Sequence, residues 1–258
     1  MADDKLAVLI DADNVPYANV KEMLEEISRN GTPTIKRIYA DWTKPTVSGW
    51  KKVLLENAIT PIQQYSYTTG KNSSDSALII DAMDILYSEK VNGFCIVSSD
   101  SDFTRLATRL REAGMTVIGF GEKKTPKPFI SACDKFIYLE ILTDTDDAEK
   151  ETDKTSDVTE TKKTAAGRPK KEPLSKVDAR TIRLITQSIN DLGDDEGWTF
   201  LGNLGSFILK KKPDFDPRNF GFTKLLPLIR SIGTIEIDER ETGVRNIRHI
   251  YVRVANGN

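Results

Sequence analysis

The feature that most constrains this chain is an alternation repeated through its first 140 residues. Short strand-like runs, LAVLID (6–11), IKRIYA (35–40), TPIQQY (60–65), FCIVS (94–98), TVIGFG (116–121) and FIYL (136–139), are separated by segments with helical spacing. A strand buried on one face alternates apolar and polar residues, whereas a strand buried on both is apolar nearly throughout. Most of these runs are of the second kind, which predicts a parallel sheet with helices on both faces. The helices are expected at Val15–Arg29, Val47–Asn57, Ser74–Tyr87, Asp102–Ala113 and, as a short one, Pro128–Cys133. The expected architecture is α/β: a Rossmann-like, three-layer domain with a central parallel sheet, in which sites form outside the carboxyl ends of the strands.

The pattern stops at residue 142. Residues 143–172 hold one valine and no aromatic residue among dense Asp, Glu, Lys and Thr, too little apolar surface to offset the entropy of ordering them. They read as a disordered charged linker that ends in the basic GRPKK, between one domain at 1–142 and another at 173–258. In the second, helical spacing over Ser175–Leu192, Leu201–Lys210 and Phe222–Ser231 precedes a hairpin of TIEID (234–238) and RHIYVRV (248–254). Three helices followed by a β-wing predict a small winged-helix domain. The net charge of −2 is unevenly spread: residues 168–258 carry 16 Lys+Arg against 12 Asp+Glu, a balance of +4 that points to a polyanionic partner.

Composition removes several chemistries. The single histidine, His249, leaves no imidazole for most zinc sites or for Ser-His-Asp and Cys-His catalysis. The two cysteines, Cys95 and Cys133, form no CxxC and are expected as buried thiols, in keeping with a reducing, cytoplasmic setting. No apolar run approaches the ~20 residues of a membrane span, and MADDKLAVLID does not have the pattern of a signal peptide. What remains is carboxylate chemistry.

LIDADNV (9–15), KNSSDSALIIDAMD (71–84) and SSDSDF (98–103) supply the carboxylates. Each acid has an ordinary local role open to it: Asp13 or Asn14 as a helix cap, Asp75 in a first helical turn, Asp102 as the cap of the helix it opens. The topology, however, sets Asp11, Asp75, Asp100 and Asp102 at one edge of one sheet. Two unit charges about 5 Å apart at an effective dielectric of ~20 repel by roughly 3 kcal/mol, so four together call for protonation or a cation. A hard divalent ion with oxygen ligands, Mg²⁺ or Mn²⁺, fits such a cluster. It lowers the pKa of water, neutralises phosphate charge and orients both for in-line attack, which favours phosphodiester hydrolysis. Asp81, six residues beyond Asp75, lies off its helical face and is expected to support the site or the fold. Lys71 is a candidate for a substrate phosphate, and Ser98 and Ser99 for orienting the acids.

LIDADN, GKNSSDSALIIDAMD and FCIVSSDSDFTRLATRLREAGMTVIGFG, in that order, resemble the NYN domain, a branch of the PIN-like nucleases. The resemblance covers about residues 5–140. It implies a PIN-like fold, a divalent metal held by Asp11, Asp75, Asp100 and Asp102, and endoribonuclease activity as in several family members; Asp13 and Asn14 fall in the first motif. Ser99 and Ala12 stand where many relatives have glycine, changes that bear on how closely a phosphate approaches.

GWTFLGNLGSFILKKKPDFDPRNFGFTKLLPLIRSIGTIEID resembles the LOTUS (OST-HTH) winged-helix domain, over about residues 173–254. That resemblance implies RNA binding or docking to a protein partner. Lys210, Lys211, Lys212, Arg218 and Lys224 concentrate positive charge beside Phe215 and Phe220 as candidate RNA contacts, while both phenylalanines and Trp198 are expected in the core. The combined expectation is a metal-dependent ribonuclease with an RNA-binding domain held on a flexible tether, without a rigid interface. Two alternatives stand beside it: a catalytically weak or inactive RNA-binding or protein-adaptor module and, remotely, an aspartyl phosphatase using the DxD of Asp11 and Asp13.

Overall fold

Alternate residues of the central strands face opposite helical layers, and this shapes the first domain. The computed structural model describes residues 4–65, 73–142, 173–241 and 248–255. Strands β1 (Lys5–Asp11), β2 (Thr32–Ala40), β3 (Thr60–Gln63), β4 (Gly93–Val97), β5 (Thr116–Gly121) and β6 (Lys135–Tyr138) form one sheet in the order β3-β2-β1-β4-β5-β6. Every neighbouring pair is parallel. Leu6, Val8 and Ile10 of β1 point into a core with Val20, Met23 and Ile27 of α1 (Val20–Ser28) and Trp50 and Leu54 of α2 (Trp50–Glu56). Ala7 and Leu9 point the other way, to Leu78 and Ala82 of α3 (Ser73–Tyr87), Leu106 and Leu110 of α4 (Thr104–Glu112), and Phe129 of α5 (Lys127–Ala132). The expected three-layer sheet is thus present, each helix near its expected place. Cys95 and Cys133 are buried thiols as expected, and burial pushes both up to about 12.

The order of the strands positions the site. The chain winds outward from β1 through β2 to β3, then returns to β4 beside β1 and winds the other way. The carboxyl ends of β1 and β4 therefore flank the topological switch point, where loops diverge and leave a crevice. Asp11 ends β1 and Asp100 follows β4, so the topology brings two of the sequence motifs side by side.

The second domain contains α6 (Ala179–Leu192), α7 (Leu201–Lys211), α8 (Leu225–Arg230) and a three-stranded antiparallel sheet in the order β7-β9-β8. β8 (Ile235–Glu241) and β9 (Arg248–Val254) are the expected hairpin strands; β7 (Thr199–Phe200), two residues long, was not expected. Helix α6 begins four residues later than the periodicity suggests, because the Asp178 carboxylate accepts from Thr181 N and caps it there. Phe215 and Phe220 are buried in this domain's core, as expected. Trp198 is not among those core residues: the guanidinium groups of Arg253 and Arg240 lie over its ring, 4.5 and 5.5 Å from the centroid.

The two domains touch. Arg218 donates from both terminal nitrogens to the Glu26 carboxylate at 2.9 and 3.0 Å, and Tyr138 Oη donates to Asp214 Oδ2 at 2.9 Å. Phe136 N donates to the Pro213 carbonyl at 2.8 Å, occupying a hydrogen-bonding position on the edge strand β6. The expectation of a tether without a rigid interface is corrected here, since these contacts are made by stretches on the far side of the charged segment. That segment, 143–172, lies outside the described residues. No helix among the described residues is long and apolar enough to cross a membrane.

Candidate metal centre

The three motifs converge because three separate elements end or begin at one place. Asp75 sits in the first turn of α3, and Asp100 and Asp102 in the loop after β4. One carboxylate oxygen from each of Asp75, Asp100 and Asp102 lies within 4.8 Å of the other two. Asp75 is buried, Asp100 half-buried and Asp102 exposed, so the group opens from the sheet edge towards solvent. Burial, followed by the negative charges of Asp11, Asp100, Asp102 and Asp13, pushes the Asp75 carboxyl up to about 6. Crowded like charges disfavour the ionised form, so the four neighbouring acids add to the effect of burial.

Asp11 stands beside this group rather than within it. It is 1% exposed, and Ser98 Oγ and Asn14 Nδ2 donate to its Oδ2 at 2.8 and 2.7 Å while Asp13 N donates to Oδ1 at 3.2 Å. Burial raises its pKa, opposed by the hydrogen bonds from Asn14 and Ser98. A carboxylate so enclosed, with both oxygens accepting, is poorly placed as an attacking nucleophile, which argues against the aspartyl phosphatase alternative. Ser98 Oγ also accepts from Asp100 N at 3.1 Å, tying Asp11 to the loop that carries the triad. Ser99 Oγ accepts from Glu122 N at 2.9 Å, binding the same loop to the end of β5. Gly121 permits that approach, since a Cβ there would lie 2.7 Å from the Ser98 carbonyl.

The helix-capping roles open to these acids are distributed differently from expectation. α1 begins at Val20, leaving Asp13 and Asn14 in the site loop; Asn14 orients Asp11, and Asp13 Oδ2 accepts from Ser74 Oγ at 3.4 Å. Asp100, not Asp102, is the cap: its Oδ1 accepts from Asp102 N at 2.9 Å at the start of a short 3-10 turn before α4. Asp81 is removed from the cluster and paired with Arg37 and Tyr39 Oη, a supporting role for the fold. Lys71 lies outside the described residues. Ser74 was missed, although its place immediately before Asp75 in SSDS was a signal.

The basic residues of the second domain separate into two groups. Lys210 and Lys224 are exposed. Lys211 pairs with Asp191 at 2.6 Å and lies over the Phe207 ring, and Lys212 follows α7, partly buried. Arg218, expected among the RNA contacts, is instead committed to Glu26 and Asp216, with 19% of its side chain exposed. This corrects the expectation: a guanidinium saturated by two carboxylates has no fork left for a phosphate.

A parallel sheet with an acidic crevice at its switch point, joined to a helical domain with a small antiparallel sheet, defines the class: a PIN-like α/β domain linked to a winged helix. The chain belongs to the NYN domain family, whose model matches residues 5–140, and it carries an OST-HTH/LOTUS domain over residues 172–247. It thus combines a domain of a nuclease superfamily with one of an RNA-binding type. Two solved structures are similar. A protein of unknown function, VPA0982 from Vibrio parahaemolyticus RIMD 2210633, is 20% identical, with 53% of this chain and 93% of that one covered and a TM-score of 0.45. An uncharacterized protein from gene locus NE0665 of Nitrosomonas europaea is 25% identical, with 40% and 95% covered and a TM-score of 0.30. No curated protein matches the sequence.

Proposed function

We propose that the chain is a divalent-metal-dependent ribonuclease that hydrolyses RNA phosphodiesters endonucleolytically, with Asp75, Asp100 and Asp102 holding Mg²⁺ or Mn²⁺. The observation that carries this reading is the set of three carboxylate oxygens within 4.8 Å of one another at the sheet's switch point. The donor set is all oxygen and anionic, which suits a hard cation better than zinc. Such an ion, when bound, offsets the phosphate's charge and makes water a better nucleophile.

The chain's own groups supply orientation and a proton acceptor. Ser98 holds Asp11 and the Asp100 backbone in one arrangement, and Asn14 fixes the Asp11 carboxylate from the other side. One of the clustered acids, Asp75, Asp100 or Asp102, would take the proton released when a water oxygen bonds to phosphorus. The bond from phosphorus to the leaving oxygen breaks as that bond forms, and the leaving oxygen takes a proton from solvent. Exposed Lys210 and Lys224 of the second domain would contact phosphates of the bound strand.

Cleavage of single-stranded and structured RNA should require added Mn²⁺ or Mg²⁺, stop with EDTA and be lost in Asp100→Asn. Cleavage that persists in EDTA or in that variant would sink the mechanism. An RNA gel shift without metal-dependent cleavage would favour the adaptor reading, for which the saturated hydrogen bonding of Asp11 is the supporting observation.

A further inference from the structure

The contact between the domains reaches the end of the sheet that carries the carboxylates. Two stretches of the second part of the chain make it. Leu174 packs its side chain on the first domain's core, and its carbonyl accepts from Lys123 Nζ at 2.7 Å. Residues 213–218 run beside β6 and α1: the Pro213 carbonyl on Phe136 N, Asp214 on Tyr138 Oη, and Arg218 on Glu26. Tyr138 pairs in register with Gly121, at the carboxyl end of the sheet. From there a short path leads to the acids: Lys123 follows Glu122, whose N–H is bonded to Ser99 Oγ, and Ser99 precedes Asp100.

Arg218 is the centre of this interface. It forms paired hydrogen bonds with both Glu26 and Asp216, so it joins one carboxylate of each domain. Lys135 lies close by, half-buried and bonded to Asn30 Oδ1 at 3.0 Å. The acids and bases here are matched, and the planar guanidinium sets the angle as well as the distance between the bodies it joins. Lys210 lies near the end of α7, three residues before Pro213, so this candidate RNA contact is tied to the first domain's sheet by a short stretch of chain.

Resting on the ribonuclease reading, we propose that Arg218 is a positioning residue: it locks the second domain against β6 and α1, so that RNA held there reaches Asp75, Asp100 and Asp102 in a fixed register. A free tether would present the strand over a range of distances and cut it at scattered places. A locked domain cuts at a set distance from the segment it grips.

The test uses the full chain and the double variant Glu26→Gln, Tyr138→Phe, whose changes lie in the first domain and leave the hydrogen bonds within the second intact. Arg218→Ala serves as a second variant should the first remain docked. Small-angle scattering should show a larger maximum dimension for the undocked variant than for the wild type. On a long single-stranded RNA with Mn²⁺, the wild type should give a narrow set of product lengths and the variant a broad one. The variant's kcat/KM on that RNA should fall about tenfold, as expected when a reactant is mispositioned, while its kcat/KM on a very short oligonucleotide stays unchanged. In EDTA the wild type should protect one continuous stretch of RNA and the variant two separate ones. A wild type that is extended in solution, or an undocked variant with unchanged products and footprint, would overturn the proposal. A docked wild type with one continuous footprint and no cleavage would leave the positioning role standing and remove the ribonuclease reading.

Discussion

Two groups of acids in the first domain, one around Asp75 and the other around Glu26, show how surroundings decide the use of a charge. At the switch point, Asp75, Asp100 and Asp102 crowd together beside Asp11 and Asp13, and the Asp75 carboxyl is driven up to about 6. At the domain interface, burial also works to raise Glu26, but the hydrogen bonds and charge of Arg218, with Lys135 and Arg29, outweigh it and hold Glu26 below the ordinary carboxylate range. The first cluster crowds like charges, which suits a bound cation; in the second, Arg218, Lys135 and Arg29 stand beside the acid. A cluster of like charges thus suits ligand binding, whereas an acid held among bases suits a joint.

The largest expected effect separates the two clusters by activity. Asp102→Asn and Asp100→Asn should each lower RNA cleavage on the order of 10³-fold, the scale of losing several kcal/mol of transition-state stabilisation. Asp100→Asn should keep the fold, since asparagine caps a helical turn about as well as aspartate. Asp81→Asn, the same chemical change on α3 but at an acid paired with Arg37 and Tyr39, should leave cleavage unchanged and lower the melting temperature. A loss of cleavage in Asp81→Asn with the fold intact would erase the distinction.

Next in size is the joint. Glu26→Ala strands the Arg218 guanidinium with Asp216 alone in a half-buried site, and breaking a buried pair from one side typically costs about 3–5 kcal/mol. Urea unfolding monitored at Trp198, in the second domain, should move to lower denaturant. An unchanged midpoint would mean that the pair adds nothing to that domain's stability.

A smaller effect has the opposite sign. Asp75 binds its proton more tightly in the fold than in the unfolded chain, so it contributes stability that is fully present below its ordinary pKa of 3.8 and is lost as pH rises through about 6. At pH 7 without metal, Asp75→Asn should therefore melt higher than the wild type, by about 2–4 °C for each kcal/mol relieved. The advantage should fade between pH 6 and 4, and the variant should lack the melting shift that Mn²⁺ gives the wild type. Glu26 runs the other way: its contribution is present above its ordinary value of 4.5 and is lost as pH falls below it. The smallest effect belongs to exposed Lys210 and Lys224: alanine at either should weaken RNA binding uniformly across sequences and lower the salt slope by about one.

The residues of the fold and site were legible in the chain because they depend on local pattern. Apolar runs separated by helical segments are enough to specify a parallel sheet, and β1 and β4 then bring Asp11 and Asp100 to one edge. Arg218 was misread for the same reason. On the chain it is one more basic residue near a KKK run, and nothing local marks Glu26, 192 residues away, as its partner. Trp198 shows the same limit, since its arginine neighbours arrive from β8 and β9.

The amino-acid sequence alone therefore determined the layered α/β architecture, the winged-helix second domain and the acids of the three motifs, because period, turn chemistry and motif order act over short range. Only the tertiary structure decided which acids meet as a triad, that Asp11 stands beside them held by Ser98 and Asn14, and that Arg218 joins the two domains. Those outcomes depend on distances between residues far apart in the chain, where both electrostatic repulsion and ion pairing are set by a few ångströms.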